Sequence, residues 1–227
     1  MINYEIKGEN LPVAILELNR GVSVYTESGG MAWMDDCFTM ETGTHGGLLK
    51  AFKRSFSGQS MFMTTYTCQK DGGKIAFCSS FPGNIKAAKL EAGQTIICQK
   101  RSFLAAESSV ELEIYFKKSL KTGFFGGEGF ILQKITGPGL VFLEMDGSIV
   151  EMTLEEGQVL NVDQGHIALF EPSVSFDITQ VKGVKNVLFG GEGLFMGRLE
   201  GPGCVWLQTM PFSRVVDEII ARVPNNG

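Results

Sequence analysis

Basic side chains stand beside glycine turns at three places in this 227-residue chain. Lys50, Lys53 and Arg54 precede Ser57-Gly58-Gln59-Ser60. Lys118 and Lys121 precede Gly126-Gly127-Glu128-Gly129, and Lys182 and Lys185 precede Gly190-Gly191-Glu192-Gly193. An ammonium or guanidinium group offers a phosphate a charged donor, and consecutive backbone N–H groups in a glycine-rich turn can cradle an anion. If the chain formed a ring, a positive charge repeated in every unit would make a circular track for RNA or another polyanion. The plainer reading of these residues is structural. Phe130-Ile131-Leu132 follows the second turn without a helix start, so the turn joins two strands and opens no phosphate-binding helix. Glu128 and Glu192 then tie neighbouring units by hydrogen bonds, and the lysines keep sheet edges from aggregating.

Acid–base or cation chemistry has one candidate, the stretch holding Asp35, Asp36, Glu41 and His45. The two histidines, His45 and His166, lie far apart, neither at a metal-ligand spacing, and no serine has a nucleophile-elbow context. The chain is therefore read as a non-enzyme that uses no cofactor or metal, with the Asp35/Asp36/His45 loop as the enzymatic alternative. Five cysteines, an odd number without a C-x-x-C, support neither a disulfide framework nor a zinc ribbon. They read as reduced core thiols, with Cys68 and Cys78 placed to face each other across a hairpin turn at Asp71-Gly72-Gly73. Trp33 and Trp206 read as core or interface anchors. Met31, Met34, Met61 and Met63 read as core fillers.

Strands must position these residues. Val110, Leu112, Ile114 and Phe116 alternate with Glu111, Glu113 and Tyr115, the period of a strand with one buried face. Val174, Phe176 and Ile178 repeat the pattern against Ser175, Asp177 and Thr179. Two segments read as helix: Gly47–Arg54, and Phe212–Val223 with Ser213 as N-cap and Val215, Val216, Ile219, Ile220 and Val223 on one stripe. That stripe needs cover, from the chain itself or from a neighbouring subunit.

The strands belong to a repeat. Phe125 to Gly129 returns as Phe189 to Gly193, Gly137-Pro138-Gly139 as Gly201-Pro202-Gly203, and Leu90 to Gln94 as Leu154 to Gln158, each shifted by 64 residues. A diverged earlier copy has Leu18-Asn19-Arg20-Gly21 and Phe56 to Ser60, with its extra residues in the Met34–Gly47 stretch. The units run 1–80, 81–145 and 146–211, followed by a C-terminal helix and tail, 212–227. A unit this small is marginal alone, so the units should stack and share apolar faces. The end units are then left with unpaired edges, which closed cyclic self-association would remove.

With 44% hydrophobic residues and a net charge of −5, the composition suits a core-forming protein without a general attraction to nucleic acid. The N-terminal residues lack a basic start and an apolar stretch, and no apolar run reaches membrane-spanning length. The expectation is a cytoplasmic protein without membrane insertion.

Several stretches carry a family resemblance: Ser28-Gly29-Gly30-Met31-Ala32-Trp33-Met34, Leu49 to Ser60, Phe81-Pro82-Gly83-Asn84-Ile85, and Gly201-Pro202-Gly203 with Gln208. Through them the chain resembles bacterial relatives of the mitochondrial-biogenesis family "altered inheritance of mitochondria, member twenty-four". The resemblance implies an all-β fold of three tandem repeats similar to the tryptophan RNA-binding attenuation protein. Each repeat would be a short double-stranded β-helix in a pseudo-threefold arrangement, and three chains would assemble into a ring of nine units. The family's bacterial members have no assigned activity. Gln59 departs from the acid expected in a Gly-Glu-Ser turn. The function expected is a homotrimeric β-ring scaffold or interaction module with an unidentified protein partner. A ring binding RNA, another polyanion or a small ligand is the alternative.

Overall fold

The computed structural model describes residues 2–27, 29–43, 63–118, 129–180 and 195–223. Residues 1–80 hold β1 (Asn3–Lys7), β2 (Val13–Leu18), β3 (Ser23–Glu27), β4 (Met31–Met34), β5 (Phe38–Gly43), β6 (Met63–Cys68) and β7 (Gly73–Cys78). Residues 81–145 and the residue after them hold β8 (Gly83–Leu90), β9 (Thr95–Gln99), β10 (Phe103–Glu107), β11 (Glu111–Lys118), β12 (Phe130–Thr136) and β13 (Gly139–Asp146). The last stretch holds β14 (Ile149–Leu154), β15 (Val159–Val162), β16 (Ile167–Phe170), β17 (Ser175–Gln180), β18 (Phe195–Glu200), β19 (Gly203–Gln208) and the short helix α1 (Phe212–Ile220). The protein is nearly all β, in several antiparallel sheets with a short C-terminal helix, as expected.

One pairing scheme occurs three times. The first stretch gives the half-sheets β2-β7-β4 and β5-β6-β3, the second β8-β13-β10 and β11-β12-β9, and the third β14-β19-β16 and β17-β18-β15. Even the register agrees: Leu18, Leu90 and Leu154 stand opposite Gly73, Gly139 and Gly203. A bulge falls at the same place in β4, β10 and β16. The half-sheets then fuse between stretches. β3 pairs with β10 to complete one six-stranded sheet, and β9 pairs with β16 to complete another.

Local chemistry explains the recurring sequence landmarks. Gly21, Gly93 and Gly157 close the turns after β2, β8 and β14 at φ near +82°, +79° and +74°, which disfavours any side chain. Gln94 and Gln158 accept the N–H of Glu91 and Glu155 across those turns. Gly137 and Gly201 press so close to the Glu91 and Glu155 carbonyls that a Cβ would lie 2.5 and 2.3 Å from them. This close approach accounts for Gly-Pro-Gly at both places. Val110, Leu112 and Val174 are buried and Glu111, Ser175 and Asp177 exposed, as alternation requires. A register shift between Ile114 and Phe116 breaks the pattern further along β11.

Three apolar cores lie between successive sheets, and each draws on neighbouring stretches. Leu16, Ile75 and Phe77 pack with Phe142 and Leu104. Tyr25 and Met63 pack with Val141 and Leu169. Ile97 and Leu132 pack with Phe170 and Leu199. Fully burying a side chain of this size contributes about 1.5–3 kcal/mol, so no stretch could keep its core without the next.

Three expectations change. Cys68 and Cys78 do not face each other, because β6 pairs with β3 and β5 while β7 pairs with β2 and β4. The neighbour of the Cys68 thiol is Cys37, with the sulfurs 4.0 Å apart. The helix begins one residue before Ser213. Pro211 stands at its N-cap without a side-chain cap, and the Phe212 N–H donates to the Asp146 carboxylate at 3.0 Å. Of the two readings of Trp33, core or interface anchor, its half exposure removes the first. The expected helix at Gly47–Arg54 lies outside the described residues.

Candidate functional site

Most of the basic track also lies outside the described residues: Lys50, Lys53, Arg54, Lys121, Lys182 and Lys185. So do Gly126, Gly127, Glu128, Gly190, Gly191 and Glu192. Lys118 ends β11, its backbone opposite Phe130. Gly137-Pro138 and Gly201-Pro202 are structural corners, with the Gly137 and Gly201 N–H groups donating to the Gln94 and Gln158 carbonyls.

Asp35 has a structural partner. Its carboxylate accepts the Lys74 N–H at 2.8 Å, at the head of β7. Glu107 accepts the Leu140 N–H at 2.7 Å and Glu171 the Cys204 N–H at 2.8 Å, at the heads of β13 and β19. The three acids occupy one position of the pairing scheme, so Asp35 is a recurring clamp that belongs to the repeat. His45 lies outside the described residues. Among those described, no three His, Cys, Asp or Glu side chains come together in a way that could hold a metal ion.

A second set of clamps holds the stretches to each other. Buried Glu144 accepts the Ser80 N–H at 2.7 Å and the Ser79 hydroxyl at 3.0 Å. Its counterpart Gln208 accepts the Asp146 N–H at 2.9 Å and donates to the Gly165 carbonyl at 2.7 Å. Burial pushes the Glu144 carboxyl above the usual carboxylate range, with Asp146 adding to the rise and the serine hydrogen bonds opposing it. Burial also raises Asp146, against the Phe212 N–H and the nearby Arg101 guanidinium. The Tyr25 hydroxyl, also raised by burial, donates to the Val110 carbonyl at 3.1 Å, and Thr26 to the Leu104 carbonyl at 2.5 Å. Sequence comparison missed Glu144 because its counterpart is an amide. The 64-residue shift did carry a signal for Glu107 and Glu171.

Beside the joint between β9 and β16, α1 roofs a cavity of about 520 Å³. Phe130 and Ile131 supply apolar wall, and Lys100, Arg101 and Asp146 supply charge of both signs. The Arg101 guanidinium lies over the Phe212 ring, 4.2 Å from its centroid, and Phe81 meets the same ring edge-on. This volume and mixture of groups suit a small molecule that is part apolar and part charged.

Among the described residues, the ends of the molecule repeat the joints without a partner. β10 and β16 are buried where β3 and β9 pair with them, whereas β4, in the same position of the first stretch, has no such neighbour among the described residues. β15, the counterpart of β3 and β9, likewise ends its sheet.

This architecture is shared. The chain superposes on a crystal structure of a Streptococcus pyogenes protein with a TM-score of 0.79 and 25% identity, covering 98% of this chain and 100% of that one. An uncharacterised protein of Streptococcus pyogenes serotype M6 is 27% identical over 224 residues, spanning 95% of this chain and 88% of the relative. The family description "Mitochondrial biogenesis AIM24" fits residues 4–210, from the first strand to just past the last, and to that AIM24 family the chain belongs.

Proposed function

We propose that the protein is a non-enzymatic scaffold whose chains close into a homotrimeric β ring. One observation carries this reading: the scheme that fuses neighbouring half-sheets within the chain is left half complete at both ends. Among the described residues, the half-sheet β2-β7-β4 has no partner beside β4, and β17-β18-β15 has none beside β15. Heterologous faces of this kind generate rings when the rotation between units closes. Three chains of three stretches give the nine-unit ring that the resemblance implies. The clamp residues support a scaffold, since Asp35, Glu107, Glu144 and Glu171 are engaged with backbone N–H groups. A cytoplasmic setting accompanies the reading. The closely spaced Cys37 and Cys68 are free thiols, a state suited to a reducing compartment.

Native mass spectrometry of gently purified protein tests the proposal. The expected species has three times the 24.7 kDa mass of the chain, and a monomer at micromolar concentration would overturn it. The cavity under α1 favours a second reading, a ring that also holds a small part-apolar, part-charged ligand. Extra mass retained on the assembly, and lost in Arg101→Ala, would support that reading.

A further inference from the structure

We infer the register of the seam between chains: β15 of one copy pairs antiparallel with β4 of the next, Asn161 standing opposite Met34 of the partner subunit. The inference rests on the self-assembling reading above and specifies its contact.

The two joints inside the chain fix the alignment. In the first, Ala106 faces Tyr25 and Glu107 faces Val24. In the second, Phe170 faces Ile97 and Leu169 faces Cys98. Ala106 and Phe170 share a position, because each stands one residue beyond its bulge partner and opposite Val141 or Val205. Met34 has that position in β4, opposite Ile75. On the other side, Tyr25 faces Thr65 and Ile97 faces Lys134, and the 64-residue shift carries Ile97 to Asn161, which faces Arg198. Carrying the joint to the chain ends therefore puts Met34 against Asn161, Trp33 against Val162 and Asp35 against Leu160.

Exposure supports the same seam. Ala105 and Leu169, buried at the internal joints, are 0% and 1% exposed, whereas Trp33 at the equivalent place is 50% exposed. Val159 in β15 is 40% exposed. Neither edge carries the lysine or proline that ordinarily blocks edge-to-edge pairing. β4 reads Met31-Ala32-Trp33-Met34 and β15 reads Val159-Leu160-Asn161-Val162. A tryptophan on an open apolar edge is the side chain expected at the centre of an interface.

Directly opposed residues of an antiparallel pair have Cα atoms roughly 4.5–5.5 Å apart, within disulfide reach. The full chain carrying Met34→Cys and Asn161→Cys together should link chain to chain under mild oxidation, with the 34–161 link identified by peptide mass. The pair shifted by one residue, Met34→Cys with Leu160→Cys, should link at least tenfold less. Amide hydrogen exchange of the unaltered chain should show residues 31–34 and 159–162 as protected as 103–107. A three-chain species in which the shifted pair links best, or in which both edges exchange freely, overturns this seam and leaves the ring standing. A monomer overturns both.

Discussion

Glu171 shows how much one carboxylate contributes when it clamps a strand. Its bond to the Cys204 N–H is charge-assisted, and without it the donor at the head of β19 loses its partner. Glu171→Ala should lower unfolding free energy by about 1.5–3 kcal/mol in urea titration, the range for hydrogen bonds to charged groups. Glu171→Gln, which keeps an acceptor, should lose less. Glu144 adds a pH signature. Burial places its folded pKa above its unfolded one, so its favourable contribution is complete below the unfolded pKa and is lost as pH rises through the folded one. The stability of Glu144→Gln relative to the native chain should therefore improve between about pH 4 and pH 8. A difference that stays flat across urea titrations in that range would count against the raised carboxyl. At this scale the sequence was half legible. Gly93, Gly137 and their shifted counterparts announced themselves because only glycine fits their backbone. Asp35 hid its role because it is a shorter acid and lies 72 positions before Glu107, outside the 64-residue shift.

Among the elements, periodicity located strands well and their partners poorly. β11 and β17 could be read from alternation because one face is buried and the other wet. The pairing of β3 with β10 leaves no such mark: both strands are buried, and the contact joins residues some eighty positions apart, as with Ala106 and Tyr25. Cys68 and Cys78 misled for the same reason, since the chain between β6 and β7 turns from one sheet into another instead of forming a hairpin. α1 was legible as a helix, but its amphipathic stripe did not reveal how weakly it is covered. Its anchor is Phe212, held between Arg101 and Phe81, while Ile219 is 57% exposed. Phe212→Ala should cost about 2 kcal/mol, below the range for a fully buried Phe. Ile219→Glu should change chain stability by no more than about 0.5 kcal/mol, as exposed positions do. Equal losses in thermal unfolding would mean that the stripe carries the helix.

For the whole molecule, the proposed ring would make the chain one segment of a larger periodic object, and assembly should then be coupled to stability. A species that binds only folded partners gains stability with concentration, so the unfolding midpoint should rise as protein concentration increases. Trp33 supplies a local probe of the same event. The chain has two tryptophans, and Trp206→Phe leaves Trp33 as the single indole. In the proposed ring that indole would be buried in the seam and should emit at short wavelength. On dilution toward single chains it should move to the long-wavelength emission of a solvated indole, because in the free chain half its surface meets water. Asn161→Lys, at an exposed position of the facing edge, should produce the dilute-state spectrum at every concentration, since a lysine on an edge strand opposes edge-to-edge pairing, while the apolar core that joins β9 and β16, which Asn161 does not enter, stays intact. If the Trp33 spectrum stays long-wavelength and unchanged across the whole concentration range in the parent variant, the first stretch ends in solvent and the half-sheets do not meet.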